Sequence, residues 1–242
     1  MCHLKRMPFA QQRRIEFSRE CERYGGICTV EFSQLAKPIQ GFLDQRPAIK
    51  RGICAALVNR WMVEHAHNGG LWRSLQPKID GGRVLNPDVL HVVMAEQEAG
   101  LNQAPFGHLA YIEHWLNGHE MERVELEAFK SFAFERPCSR FGGGAVIAWP
   151  IFSSIQAGEC NYYLFFALVQ SNGIGHAIGV HVEASSAPDA GILLFDPDYG
   201  EFRFPGVDSF NSWLFGSWWS WYQPDRILIR AWKSSTAMDT SW

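Results

Sequence analysis

Two cysteines follow the same two letters. Cys28 lies in "GGICTVEFS" and Cys54 in "RGICAALVNRW". A thiol attacks as its thiolate, which is favoured at a helix N-terminus or beside an imidazolium and disfavoured by apolar burial. Cys54 comes two residues after Gly52, at the predicted start of a helix running to about His67. Ile53, Leu57 and Trp61 recur there at i, i+4 and i+8, and "HNGG" ends the run. The free amides and partial positive charge of that terminus favour a thiolate. Gly52 permits close approach of a substrate backbone, and the Cys54 amide can point at a developing oxyanion. Cys28, in the β-prone "ICTVEF", gains no helix end and reads as a small core residue. For Cys54 the competing reading is a buried cysteine on a helix face. Cys2, Cys21, Cys138 and Cys160 have no comparable setting.

A thiolate needs a base, and nine histidines are available. His65, His67, His91, His108, His114 and His119 fall among polar neighbours in the first half and read as exposed or partly exposed. The spacings His65-x-His67 and His114-x4-His119 lack a third ligand at a familiar interval, so no metal site is predicted. "GHAIGVHVE" leaves two candidates on one strand. His176 shares a face with Ile178, Val180 and Val182; His181 shares the other with Ala177 and Gly179. His176 begins the strand after the turn "SNGIG", where a cleft can reach it. His181 stays open as a second candidate. The base in turn needs an orienter. "LLFDPDYGEFRF" ends an apolar strand on Asp196, and burying a carboxylate there is costly without a partner. Asp196 could also cap its own turn, whereas Asp198 reads as solvated within it. A hairpin of residues 176–183 and 191–196 places His176 opposite residue 196 or beyond, so the two meet at one sheet end.

The elements that must carry these groups change character along the chain. Residues 1 to about 24, rich in Lys and Arg with weak periodicity, read as a partly ordered arm. A strand is predicted at "ICTVEFS". After the Cys54 helix, "NPDVLHVVMAEQEAG" gives a second helix with Asn86 as cap and Gly100 as stop, and "PFGHLAYIEHWLNGH" a third, ended by Gly118. Beyond "FGGGAVIAWP" the pattern turns to strands at 161–169, 176–183, 191–196, 201–204 and 226–232, with an aromatic helix at about 209–221. Helices first and strands afterwards imply an α+β class, a helical N-terminal half packed against a C-terminal antiparallel β-sheet. The tryptophans of "WLFGSWWSW" read as core, with a partner surface as the rival.

The bulk numbers narrow the function. The 242 residues suffice for a large core, and 47% hydrophobic against 19% charged describes a globular chain. A net charge of -3 argues against nucleic acid as partner. The six cysteines form no C-x-x-C pair and read as reduced thiols. No run in the sequence has the length of a signal peptide or a membrane span.

The blocks "GICAALVNRW", "GHAIGVHV" and "FDPDYGEFRF" resemble those of the YopT/AvrPphB-type bacterial effector cysteine proteases, a papain-like family. "FDPDYGEF" is the most specific of the three words, and together they cover roughly thirty residues. The resemblance implies a papain-like fold with Cys54, His176 and Asp196 as triad, no cofactor, and the Cys54 backbone amide in the oxyanion hole. It implies residues 25–242 as the protease domain and residues 1–24 as a flexible arm that could serve export and chaperone binding. Members of that family enter host cells, commonly by type III secretion, and cleave host proteins. A thiol protease secreted without a cleavable signal peptide, acting on a host protein in the host cytosol as a virulence factor, is therefore expected. Two departures stand out. Papain-like enzymes place a Gln or Asn five or six residues before the cysteine, where this chain has Ile49 and Ala48; Gln45, nine residues before Cys54, is the nearest substitute. The loop "EASSAPDA" between His176 and Asp196 is also long for the family. The rivals are a deamidase or acyltransferase on the same triad, and a degenerate protease used for binding.

Overall fold

The apolar runs "YYLFFALV" and "GHAIGVHV" have no polar face, and the structure shows why: both faces of their sheet are covered. The computed structural model describes residues 9–102, 107–125, 161–169, 175–184, 190–222 and 226–235. Helix α1 (Phe9–Arg23) leads into β1 (Ile27–Glu31), then α2 (Lys37–Leu43) and a 3-10 turn at Pro47–Ile49. Next come α3 (Cys54–Ala66), α4 (Leu71–Leu75), a small hairpin of β2 (Lys78–Ile79) and β3 (Gly82–Arg83), α5 (Pro87–Asn102) and α6 (Gly107–Asn117). The rest is β4 (Met121–Val124), β5 (Tyr162–Val169), β6 (Gly175–Val182), β7 (Ile192–Asp196), β8 (Gly200–Phe204), α7 (Val207–Trp213), a π turn at Leu214–Trp218, α8 (Trp219–Tyr222) and β9 (Arg226–Ser234).

Seven strands form one antiparallel sheet in the order β1-β8-β7-β6-β5-β9-β4. The α+β expectation holds, with two additions: β1 and β4 from the first half close the sheet's two edges, and helices cover both faces. On one face Phe165, Ala177, Leu193 and Phe195 pack under α3, α4 and α5. On the other, Leu164, Phe166, Ile178, Val180 and Leu194 pack under α1, α7 and the π turn. Trp213 and Trp218 are buried there, so these two belong to the core rather than to a partner surface.

The segment expected as a flexible arm is helical from Phe9 to Arg23 and docked on that second face. Phe17 and Cys21, one turn apart, are fully buried. Phe17 stacks on Tyr199 with centroids 4.1 Å apart. A stripe this narrow gives little periodicity among so many charges, yet burying one Phe contributes about 1.5–3 kcal/mol. Helix α5 also runs two residues past the expected stop at Gly100. Cys2, His3, Cys138, Cys160, the "FGGGAVIAWP" stretch and most of the loops "SNGIG" and "EASSAPDA" lie outside the described residues.

Helix α3 crosses the sheet on β6. Its Trp61 lies against Gly179, where a Cβ would come within 2.9 Å of the indole. The Trp61 Nε1–H donates to Glu201 of β8 at 2.8 Å, which fixes the helix along its axis. That seating puts the α3 N-terminus at the sheet end where β6 begins and β7 finishes. No described helix is long and apolar enough to cross a membrane.

Candidate active site

Cys54 is the first residue of α3, half-buried and unbridged. No side chain of its own segment caps this helix; two distant amides do so. Gln34 Oε1 accepts the Ile53 N–H at 2.8 Å, and Gln97 Oε1 accepts the Ala56 N–H at 3.1 Å. The Cys54 amide lies between these two capped positions, at the positive end of the helix. Gly52 takes φ +132°, and a Cβ there would meet Gln34 Oε1 at 3.0 Å. Only glycine serves both demands.

His176 and Asp196 meet as the hairpin predicts. The register pairs Gly179 with Phe195, which carries His176 past the end of β7. His176 Nε2 lies 3.0 Å from Asp196 Oδ1, with side-chain exposures of 13% and 0%. With Nε2 engaged by the carboxylate, Nδ1 is the ring nitrogen left for Cys54, whose thiol is near enough to help raise the His176 pKa. Burial disfavours the imidazolium, but the carboxylates of Asp198 and Asp196 and the hydrogen bonds to Asp196 and Cys54 outweigh it. The His176 pKa is therefore held well above its ordinary value.

The other candidates are elsewhere. His181 faces the α3 side of the sheet, with its ring 4.5 Å from that of His65 and 4.6 Å from that of Tyr163. Burial, with His65 and Arg203 nearby, pushes its pKa down to about 3, so it is a neutral core imidazole. His65 is not the exposed residue expected: its Nδ1 lies 2.8 Å from the Tyr163 hydroxyl, and burial lowers its pKa. Cys28 sits in β1 as expected, and burial raises its thiol pKa. Gln45 is exposed, and its Nε2–H donates to Gly41 O at 3.1 Å, so it is tied to α2 and not to the turn before Cys54.

Three further groups complete the site. Gln34, 2% exposed, receives the Ile53 amide and donates through Nε2 to Asp198 Oδ1 at 2.7 Å. Its own backbone N–H donates to Pro197 O at 2.7 Å, which pins it to the "DPDYG" turn. Asp198 is not the open turn residue expected but is mostly buried, its side chain 19% exposed. Its Oδ2 lies 3.9 Å from His176 Nδ1, and burial raises its pKa against the opposing pull of His176. Tyr222 donates its hydroxyl to Asp196 Oδ2 and stacks on His176 with rings 11° apart. The turn itself was legible, and an acid two residues beyond Asp196 was visible in it; Gln34 and Tyr222 arrive only through tertiary folding.

Among the described residues, His176, Asp196 and Asp198 are the one group whose possible ligand atoms converge, all within 4.8 Å. Those atoms are engaged with one another, with Gln34 and with Tyr222. The arrangement is a closed hydrogen-bond network aimed at a thiol.

A family model described as Peptidase_C58, Yersinia/Haemophilus virulence surface antigen, matches residues 154–225, a span that contains His176 and Asp196. Two curated relatives named "Cysteine protease YopT", from Yersinia enterocolitica and Yersinia pestis, are each 24% identical over 230 residues. Each alignment covers 87% of this chain and 64% of the relative, so the chain spans a little under two thirds of their length. The crystal structure of the Pseudomonas avirulence protein AvrPphB superposes with a TM-score of 0.51 at 14% identity, covering 79% of this chain and 99% of that one. The last match shows a shared papain-like α+β fold. Together the comparisons support a YopT/AvrPphB-type cysteine protease family for this chain.

Proposed function

We propose that the chain is a cysteine endopeptidase that cleaves a host protein by Cys54–His176–Asp196 catalysis. The observation that carries this reading is the position of His176, hydrogen-bonded to Asp196 at 3.0 Å at the sheet end that faces the start of α3, where the Cys54 thiol helps raise its pKa. The carboxylates of Asp198 and Asp196 raise the His176 pKa and so favour the imidazolium that pairs with a Cys54 thiolate. The thiolate adds to the scissile carbonyl. His176 gives its Nδ1 proton to the departing amine, and a thioester to Cys54 remains. A water, losing a proton to His176, adds to that thioester and releases the acid and the thiol. Asp196 keeps the imidazole turned toward sulfur throughout.

The oxyanion forms beside the first turn of α3. The Cys54 amide is one donor, and we assign the Gln34 side chain as the second. Gln34 is held against Ile53 and Gly52, and Asp198 takes only one of its two Nε2 protons.

The resemblance extends the proposal to delivery into a host cell without a cleavable signal peptide, to action in the host cytosol, and to a secretion chaperone as a second partner. The test is a comparison of the wild-type chain and Cys54→Ala in host-cell lysate, with new protein N-termini read by mass spectrometry. Termini that depend on Cys54 are expected. A one-dalton gain at glutamine without new termini would move the assignment to a deamidase, and identical lysates would move it to a binding module.

A further inference from the structure

We propose that Tyr222 is a positioning residue for the His176–Asp196 pair, holding the carboxylate through its hydroxyl and the imidazole through its ring. The proposal rests on the catalytic reading of Cys54, His176 and Asp196. Asp196 presents two oxygens. Oδ1 serves His176 at 3.0 Å and the Asp198 amide at 2.9 Å. Oδ2 accepts the Tyr222 hydroxyl. A fully buried carboxylate is thus given three donors, and without the phenol one oxygen would lose its described side-chain partner. The Tyr222 ring lies 5.2 Å from the imidazole centroid at 11°, a parallel stack that covers one face of His176.

Tyr222 can do this because it is itself held. It belongs to α8, not to β6 or β7, so it ties a third element to the two strands that carry the pair. Its ring packs on Trp218 at 5.5 Å and on Tyr199 at 6.3 Å, and Tyr199 stacks on Phe17 of α1. Burial and the charge of Asp196 hold the Tyr222 pKa well above the ordinary phenol value, so the hydroxyl stays a donor across the working range. The physical consequence is directional. With Asp196 clamped and the ring face covered, the imidazole keeps Nε2 on the carboxylate and Nδ1 toward Cys54.

The experiment is the rate of Cys54 alkylation by iodoacetamide as a function of pH, read by peptide mass spectrometry. Four proteins are compared: wild type, Tyr222→Phe, a chain with 3-fluorotyrosine at position 222, and His176→Ala. Tyr222→Phe keeps the stack and removes the donor. Its imidazolium-dependent plateau should fall about ten-fold, the order of one hydrogen bond to a charged group. Its alkaline inflection should move up, because a carboxylate relieved of the phenol proton holds the imidazolium more tightly. Fluorotyrosine has nearly the same size and donates more strongly, so its inflection should move down; this arm decides the matter even if Tyr222→Phe fails to fold. Profiles that coincide with wild type at both substitutions overturn the proposal. A wild-type profile identical to that of His176→Ala overturns the catalytic pair itself, and the role of Tyr222 with it.

Discussion

Gln34 and Gln45 both precede Cys54, and residue identity alone does not tell them apart. Gln45 is the nearer in sequence but spends its amide on Gly41. Gln34, twenty positions away, reaches the turn because its backbone is fastened to Pro197 and its side chain to Ile53. Gln34→Ala should lower the initial rate of Cys54-dependent cleavage about 10²-fold, the usual effect of losing one oxyanion donor. Gln45→Ala should leave that rate unchanged; equal losses at the two positions would remove Gln34 from the assignment. The two G-I-C cysteines make a second contrast. Brief iodoacetamide treatment at neutral pH should modify Cys54 well before Cys28, whose thiol is raised by burial. Peptide mapping reads the order, and preferential labelling of Cys28 would reverse the choice. Cys54, His176 and Asp196 were legible because each lies at or beside the end of an element, and element ends can be read from turns and periodicity. Gln34 and Tyr222 were not, because their partners are set by which loops the sheet brings together.

At the scale of elements, α3 was legible from its apolar face and α1 was not. Helix α3 buries Ala55, Ala56, Leu57, Val58, Asn59, Trp61, Met62 and Val63, a broad stripe that dominates its pattern. Helix α1 buries Phe17 and Cys21 among charges, a stripe two residues long. Its importance comes from what it touches: Phe17 also lies 5.7 Å from Trp213 and 5.3 Å from Trp221, and the Arg13 guanidinium sits 5.0 Å over the Trp221 ring. These aromatics back the turn that carries Asp196 and Asp198. Phe17→Ala should therefore cost about 3–5 kcal/mol of folding stability, the range for truncating a buried Phe. Urea unfolding measures it. A loss under about 1 kcal/mol would fit the detachable arm that the sequence suggested. The contrast follows from physics: periodicity reports how wide a buried stripe is, not how much packing depends on it.

Over the whole molecule, a sheet covered on both faces leaves polar groups in two dry layers, and the two histidine environments there respond to pH with opposite signs. His176, raised by its carboxylates, contributes stability that is fully present below the ordinary histidine pKa and is lost as pH rises through its raised value. Between pH 6.5 and 5 it therefore adds nothing to acid loss. His181 behaves the other way. Its rings of contact are His65 and Tyr163, Arg203 adds a like charge, and its Nδ1 has no hydrogen-bond partner among the described residues. Its folded pKa falls to about 3, so the unfolded chain binds the proton first and stability is lost as pH drops below about 6.5. At pH 5 that loss is about 2 kcal/mol, with His65, also lowered, acting in the same direction. Asp198, raised by burial, acts in the opposite direction, so the quantity to measure is a difference between proteins. His181→Phe keeps the ring volume between His65 and Tyr163 and removes the titrating group. Urea unfolding free energies should fall by about 1.6 kcal/mol more in the wild type than in this variant between pH 6.5 and pH 5. Equal losses in the two proteins would remove His181 as the source of the acid sensitivity.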